Sequence, residues 1–238
     1  MAEEQKKDVK EEKKLEQKQE TKEEKPKWIP KTKLGRMVLE GKITSIEEIL
    51  EKGWKIREPE IVDYLMPDLK VEYVLIGKGG TKGGGKKRLP IKRSVKVTAS
   101  GRRISYSVMV MVGNGNGIVG IGRGKSKDTR TAFMQALRKA KMNLIYVKRG
   151  CGSWECACGG NHSIPYMTEG KSGSVRYVLL PAPKGTGLVV NDEAKKLLRL
   201  AGIKDVWSKT FGRTKQHMNL IQALFNALKN LRKYEKAY

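Results

Sequence analysis

Arg102-Arg-Ile-Ser-Tyr-Ser-Val-Met-Val-Met-Val112, Gly113-Asn-Gly-Asn-Gly117 and Ile118-Val-Gly-Ile121 follow one another without a break, and this stretch decides the fold. Residues 102–112 read as a strand, the glycine and asparagine run as a hairpin turn, and residues 118–121 as the returning strand. Just upstream, Ile91, Arg93, Val95 and Val97 alternate with Lys92, Ser94, Lys96 and Thr98. That is the period of two of a half-buried strand, and Ser100-Gly101 supplies the turn that joins it to the next. A three-stranded antiparallel meander results. Downstream, Gly122-Arg-Gly-Lys-Ser126 leads into a helix expected over about 128–147, with Phe133, Leu137, Ala140, Leu144 and Val147 on one apolar stripe. Its other face carries Arg130, Arg138, Lys139 and Lys141. Three strands backed by one amphipathic helix make a two-layer α+β core of roughly 80 residues.

Before this core, apolar residues fall at helical spacing in short bursts. The first is Leu34, Val38 and Leu39; the second is Ile46, Ile49 and Leu50 behind a Thr44-x-x-Glu47 capping box; the third, Ile61, Tyr64 and Leu65, ends before Pro67. These are short helices of a connecting arm over 32–70. The run from Gly77 to Arg88 holds six glycines and five basic residues and is expected to be a mobile basic loop. Beyond a cysteine-rich linker loop, 151–172, a second α+β unit spans 173–238. It has a strand over 174–180, a turn at Pro181-Ala-Pro-Lys-Gly-Thr-Gly187, a short strand at 188–190 and a helix capped by Asn191 or Asp192 that Gly202 terminates. A further strand is expected over 203–209 and a last helix over about 218–232.

The charge is lopsided: 50 Lys and Arg against 25 Asp and Glu in 238 residues, a formal net charge of +25. Such an excess points to a polyanionic partner. Residues 1–31 hold ten of the basic and nine of the acidic residues, so this low-complexity tail, expected to be disordered, is nearly neutral. The excess lies beyond it. Residues 73–127 contain thirteen Lys or Arg and no Asp or Glu, where an even spread would place about five or six acids. Solvated charged faces mix both signs. An acid-free run of this length is therefore the footprint of phosphate-backbone binding. The absence of any stretch near the roughly 18 apolar residues of a membrane span, and the Glu/Lys-rich start, set the expectation of a soluble cytosolic protein.

Two nucleotide-binding patterns fail on context. Gly115-Asn-Gly117-Ile-Val-Gly120 satisfies G-x-G-x-x-G, but more strand follows where a helix should open. Gly124-Lys125-Ser126 resembles the end of a Walker A loop, yet the first glycine would fall on Val119. Glycines at a helix start beside Arg123, Lys125 and Lys127 are still expected to hold an anion through backbone N–H groups, a nucleic-acid phosphate better than a nucleotide. Cys151-x4-Cys156-x-Cys158-x3-His162 offers three thiolates and an imidazole within twelve residues, a ligand set for one structural zinc, with free thiols as the alternative. His217 at a helix start reads as structural. No arrangement of acid, base and nucleophile suggests catalysis.

Four segments resemble the universal small-subunit ribosomal protein S-five family in its archaeal and eukaryotic form. They are Gly101-Arg-Arg-Ile-Ser-Tyr-Ser with the following Val-Gly-Asn-Gly-Asn-Gly-Ile-Val-Gly-Ile-Gly-Arg-Gly-Lys, the helix from Ala136-Leu-Arg-Lys, Arg149-Gly-Cys-Gly-Ser-Trp-Glu-Cys, and Gly173-Ser-Val through Pro181-Ala-Pro-Lys-Gly-Thr-Gly-Leu to Leu200-Ala-Gly-Ile-Lys-Asp-Val-Trp. The resemblance implies a domain over 71–150 similar to double-stranded RNA-binding folds and a C-terminal α+β domain with a left-handed βαβ crossover. It also implies a non-enzymatic structural constituent of the small ribosomal subunit in the cytoplasm. Such a protein binds small-subunit rRNA between body and head beside the path by which mRNA enters. It touches ribosomal proteins S-four and S-eight and influences translational accuracy together with S-four and S-twelve. No membrane or small-molecule substrate is implied. The rRNA-facing residues expected here are Lys78, Lys82, Lys86, Lys87, Arg88, Lys92, Arg93, Arg102, Arg103, Asn114, Asn116, Arg123, Lys125, Lys127 and Arg130, and the metal set is Cys151, Cys156, Cys158 and His162. The insertion at 77–88 is longer and richer in glycine than the family pattern.

Two other functions compete. Small-molecule kinases sharing the C-terminal fold hold phosphate on a glycine-rich loop that Gly185-Thr-Gly187 superficially matches, but Leu188-Val-Val190 follows where small and hydroxyl residues are required, and no acidic Mg²⁺ ligand is evident. A free RNA chaperone would share the charge without the family motifs.

Overall fold

The computed structural model describes residues 28–79, 88–156 and 158–231. The chain divides into two units, 1–31 and 32–238, and every element named below belongs to the second. The charged tail, apart from residues 28–31, and the interior of the glycine–lysine insertion lie outside the described residues.

Three short helices come first: α1 (Lys33–Leu39), α2 (Ile46–Glu51) and α3 (Glu60–Leu65). Thr32 caps α1, its side chain accepting from the Gly35 N–H. The N-cap of α2 is Ser45, one residue later than the expected Thr44. Ser45 Oγ accepts from the Glu48 N–H and meets Glu48 Oε1 at 3.1 Å. Either hydroxyl would fit the pattern, and the burial of Ile46, Ile49 and Leu50 selects Ser45 by setting the phase of the helix.

β1 (Lys70–Tyr73), β4 (Ile91–Thr98), β5 (Gly101–Gly113), β6 (Ile118–Ser126) and β7 (Leu144–Tyr146) form an antiparallel sheet. β5 is its spine. β4 pairs with residues 101–108 and β1 with residues 110–113, in succession along one edge, while β6 takes the other edge at 106–113. The expected meander is thus present but gains a strand on each side. β2 (Gly77–Lys78) and β3 (Arg88–Leu89) pair with each other, so the ends of the 77–88 run are strand, not loop.

α4 (Thr129–Met142) covers one face of this sheet. It is shorter than expected, because Leu144 belongs to β7 and Val147 follows that strand. Its buried stripe is Ala132, Ala136 and Ala140, with Phe133 and Leu137 only half-buried. The reason lies in β6. Gly120, Gly122 and Gly124 point at the helix; a Cβ at Gly122 would stand 2.1 Å from Ala136 O, and one at Gly124 would stand 2.0 Å from Ala132 O. Alternating glycines on the strand and alanines every fourth residue on the helix bring the two backbones into contact, so there is no room for leucine on the seam.

The second sheet runs β10 (Leu188–Val189), β11 (Val206–Phe211), β9 (Val175–Pro181), β8 (Thr168–Ser172). β8, at the end of the stretch read as linker, had no sequence signal beyond Thr168. β10 and β11 are parallel and joined through α5 (Asp192–Leu200), the expected βαβ connection. α6 (His217–Asn230) packs on β8 and β9. Gly202 closes α5 in a Schellman arrangement at φ +75°, with Gly202 N–H donating to Arg199 O and Ile203 N–H to Leu198 O. The two sheets share one core: Met109, Met111, Val119 and Ile121 from the first join Tyr177 of the second and Leu197, Leu200 and Phe225 of its helices α5 and α6. The Gly113–Gly117 turn docks there, its Gly115 and Gly117 N–H groups donating to Leu200 O and Ala201 O.

Candidate nucleic-acid interface

β4 and the first half of β5 extend beyond β6 as a two-stranded hairpin. Val95 is 50% and Val97 73% exposed on one face, and Lys92 and Lys96 are exposed on the other. The strict alternation in 91–98 therefore marks a free-standing ribbon, not a half-buried strand. Register sorts its side chains. Lys92, Ser94, Lys96, Arg103, Ser105 and Ser107 share one face, which continues onto β6 through Lys125 (opposite Ser107) and Arg123 (opposite Met109). All five cations on it are exposed. Lys96 faces Arg103 directly across the strands, and like charges in that position are destabilising. The hydroxyls between them, with Ser94 Oγ and Ser105 Oγ 3.1 Å apart, complete a surface of cations and hydrogen-bonding groups. An acid-free face of this kind lowers its own energy by taking phosphate from outside.

The remaining expected residues are placed elsewhere. Arg93 and Arg102 project from the opposite face of the hairpin. Lys78, Arg88 and Arg93, together with Lys92 of the first face, line a cleft of about 570 Å³, whose far wall is Arg213, Lys215 and His217. Burial, then the nearby Arg88 guanidinium, lowers the His217 pKa below 6.5, while its Nδ1 stands 2.9 Å from Leu75 O. Lys127 and Arg130 are exposed at the start of α4. Lys82, Lys86 and Lys87 lie outside the described residues. Asn114 is half-buried, and its Oδ1 accepts from Asn116 N–H at 2.7 Å and Ile118 N–H at 3.1 Å, so its side chain closes the turn that joins the sheets. Twelve residues of extended chain, about 40 Å, separate this turn from Gly101 at the hairpin tip. Gly122 and Gly124 sit inside the β6 ladder and against α4, which removes the expected anion loop at a helix start. Lys96, Arg213 and Lys215 were not singled out in the sequence; only strand register reveals Lys96, and only tertiary contact the other two.

The cysteine loop converges on one point. One ligand atom each from Cys151, Cys156, Cys158 and His162 lies within 4.8 Å of all the others. His162 Nε2 stands 3.2 Å from Cys158 Sγ and 3.9 Å from Cys156 Sγ. A tetrahedral site with the usual zinc–sulfur and zinc–nitrogen bonds has sulfur–nitrogen edges of about 3.6 Å, so the atoms stand close to what such an ion requires. His162 is buried, and its Nδ1 is 2.8 Å from Asp205 Oδ2, which turns Nε2 towards the sulfurs. The Lys184 backbone N–H and then the Cys158 side chain hold the Cys156 thiol down to about 6, a value at which thiolate predominates at neutral pH.

Residues 85–148 match the family model described as ribosomal protein S5, N-terminal domain, and residues 170–238 match ribosomal protein S5, C-terminal domain. The small ribosomal subunit protein uS5 of Nanoarchaeum equitans is 54% identical over 208 residues, which cover 86% of this chain and 87% of that protein. Its counterpart in Staphylothermus marinus is 52% identical over 207 residues, 87% and 90% of the two chains.

The chain belongs to the ribosomal protein S5 family.

S5 proteins are structural and non-enzymatic, and the chain's glycine-rich turn agrees with that. The Gly185 and Gly187 N–H groups both donate to Asp205 Oδ1, at 3.2 and 2.8 Å, so they are engaged within the fold where a kinase loop would offer them to phosphate. Among the described residues no helix is long and apolar enough to cross a membrane. The Cys/His loop falls in the interval between the two S5 domain matches.

Proposed function

We propose that this S5 protein is a structural constituent of the small ribosomal subunit in the cytoplasm and binds its rRNA through the β4–β5–β6 face. The observation that carries the reading is the Lys96–Arg103 pair, set opposite each other on an exposed, acid-free ribbon with Lys92, Arg123 and Lys125 on the same side. Phosphate contacts of this type fix position without reading sequence. Residues 71–150 would thus form the rRNA-binding domain and residues 173–238 the C-terminal α+β domain. The family resemblance supplies the finer placement: between body and head, near S-four and S-eight and the incoming mRNA, with an influence on accuracy. Sucrose-gradient sedimentation of a lysate tests the assignment. Co-migration with the small subunit is expected, and a standing pool of free protein would favour a chaperone outside the ribosome.

A structural metal is the second element of the proposal. Three thiols and an imidazole oriented by a buried carboxylate match a closed Cys₃His zinc site, which leaves no position for reacting water. Elemental analysis of the purified protein and of Cys156→Ser decides it. About one zinc per chain, lost in the variant, is expected; zinc well below one, or full retention by the variant, returns the loop to free thiols.

A further inference from the structure

The turn that connects β9 to β10 directs two backbone amides at Asp205, the carboxylate behind His162. The Gly185 and Gly187 N–H groups donate to Asp205 Oδ1, while Asp205 Oδ2 meets His162 Nδ1 at 2.8 Å. Thr186 N–H and Oγ1 both return to Pro183 O, which folds the turn back on itself. From the other side, His162 O accepts from the Lys204 and Asp205 N–H groups at 2.9 and 3.1 Å. Asp205 is 5% exposed, and among the described residues its carboxylate bonds to His162 and to this turn.

We propose that Asp205 and the Lys184–Gly187 turn are the outer shell of the metal site, so that metal occupancy and the order of the β9–β10 connection are one coupled property. The inference rests on the zinc reading above. Its physical content is a relay. A cation on Nε2 fixes the tautomer of His162 with the proton on Nδ1; that proton holds Oδ2 of Asp205; Oδ1 then holds two amides of the turn. Without the cation the imidazole would keep its Nδ1 proton on Asp205 but would be anchored at that end alone, so the His162–Asp205 pair and the amides it holds would move more freely. The turn leads through β10 and α5 into β11, so the metal braces the only parallel strand pair of the second sheet among the described residues.

The test uses the full chain and zinc itself. Backbone amide exchange is read by NMR before and after chelation, and zinc affinity is read by competition with a chromogenic chelator for the unmutated protein and Asp205→Asn. Chelation is expected to speed exchange at Gly185 and Gly187 by tenfold or more while amides of β5 stay protected. Asp205→Asn is expected to bind zinc about 10–100-fold more weakly, with a changed cobalt(II) spectrum after metal replacement. If the protein holds zinc but chelation leaves Gly185 and Gly187 unchanged, the coupling is wrong and the zinc site stands. Unchanged zinc affinity in Asp205→Asn overturns the positioning role in the same way. A protein that holds no zinc overturns both.

Discussion

Gly122→Ala is the sharpest perturbation of the helix–sheet seam. The added Cβ would lie 2.1 Å from Ala136 O, 2.3 Å from Ala140 N and 2.9 Å from Ala140 Cα. All three are backbone atoms of α4, so no side-chain rotation relieves the clash. The helix must retreat by about 1 Å to restore ordinary contact, and a gap of that size forfeits about a quarter to a half of each dispersion contact along the seam. Ala132, Ala136 and Ala140 are fully buried there, and Phe133 and Leu137 lean on the same layer. Overpacking ordinarily costs 1–3 kcal/mol; because a whole helix has to move, about 3 kcal/mol or more is expected. Equilibrium urea unfolding of the full chain measures it. Gly41→Ala is the control: φ is +72° but nothing stands within 4 Å of the added carbon, so only the conformational penalty of about 1–2 kcal/mol applies. If Gly122→Ala cost no more than Gly41→Ala, the close-approach account of β6 would be refuted.

Three further outcomes follow from the same geometry. Leu137→Ala should cost below about 2 kcal/mol in a thermal or urea melt, because the side chain is half-buried; a loss of 4 kcal/mol would mean that leucine, not alanine, carries the seam. Lys96→Glu should stabilise the free protein by about 0.2–1 kcal/mol, by turning a repulsive cross-strand pair into an attractive one with Arg103, and yet weaken RNA binding; the two effects moving together would contradict the assigned register. Burial, then Arg88, lowers the His217 pKa in the fold, so its contribution is complete above about 6.5 and is lost as pH falls through the depressed folded value. Stability measured against pH should accordingly flatten in that window in His217→Gln.

Strand periodicity and turn chemistry made most of the first sheet legible. The Gly113–Gly117 hairpin, the Ser100-Gly101 turn and the Gly202 helix stop all stand where local rules place them. What escaped was decided by tertiary contact. Leu144 and Val147 continue a helical period, but β6 offers an open edge that residues 144–146 take up as β7. Gly122 and Gly124 look like a phosphate loop by letter, and only their approach to Ala132 and Ala136 shows them to be packing residues. The Cys/His cluster was legible because its four residues lie within twelve positions; Asp205, 43 positions beyond His162, was not. The charge excess marked a basic surface, but which cations share a face depends on pairing register, and that is why Arg93 and Arg102 fall on the side opposite Lys96 and Arg103.

The central claim is that the β4–β5–β6 face binds rRNA through its phosphates. Its most direct test is the affinity of the full chain for small-subunit rRNA fragments as a function of salt, for the unmutated protein and for Lys96, Arg103 and Lys125 changed together to Ala. Each phosphate contact contributes about 0.7–0.9 to the slope of log K against log salt, so the triple variant should lose about 2–3 units of slope and weaken alike on fragments of different sequence. An unchanged slope, or a loss confined to one sequence, would contradict it.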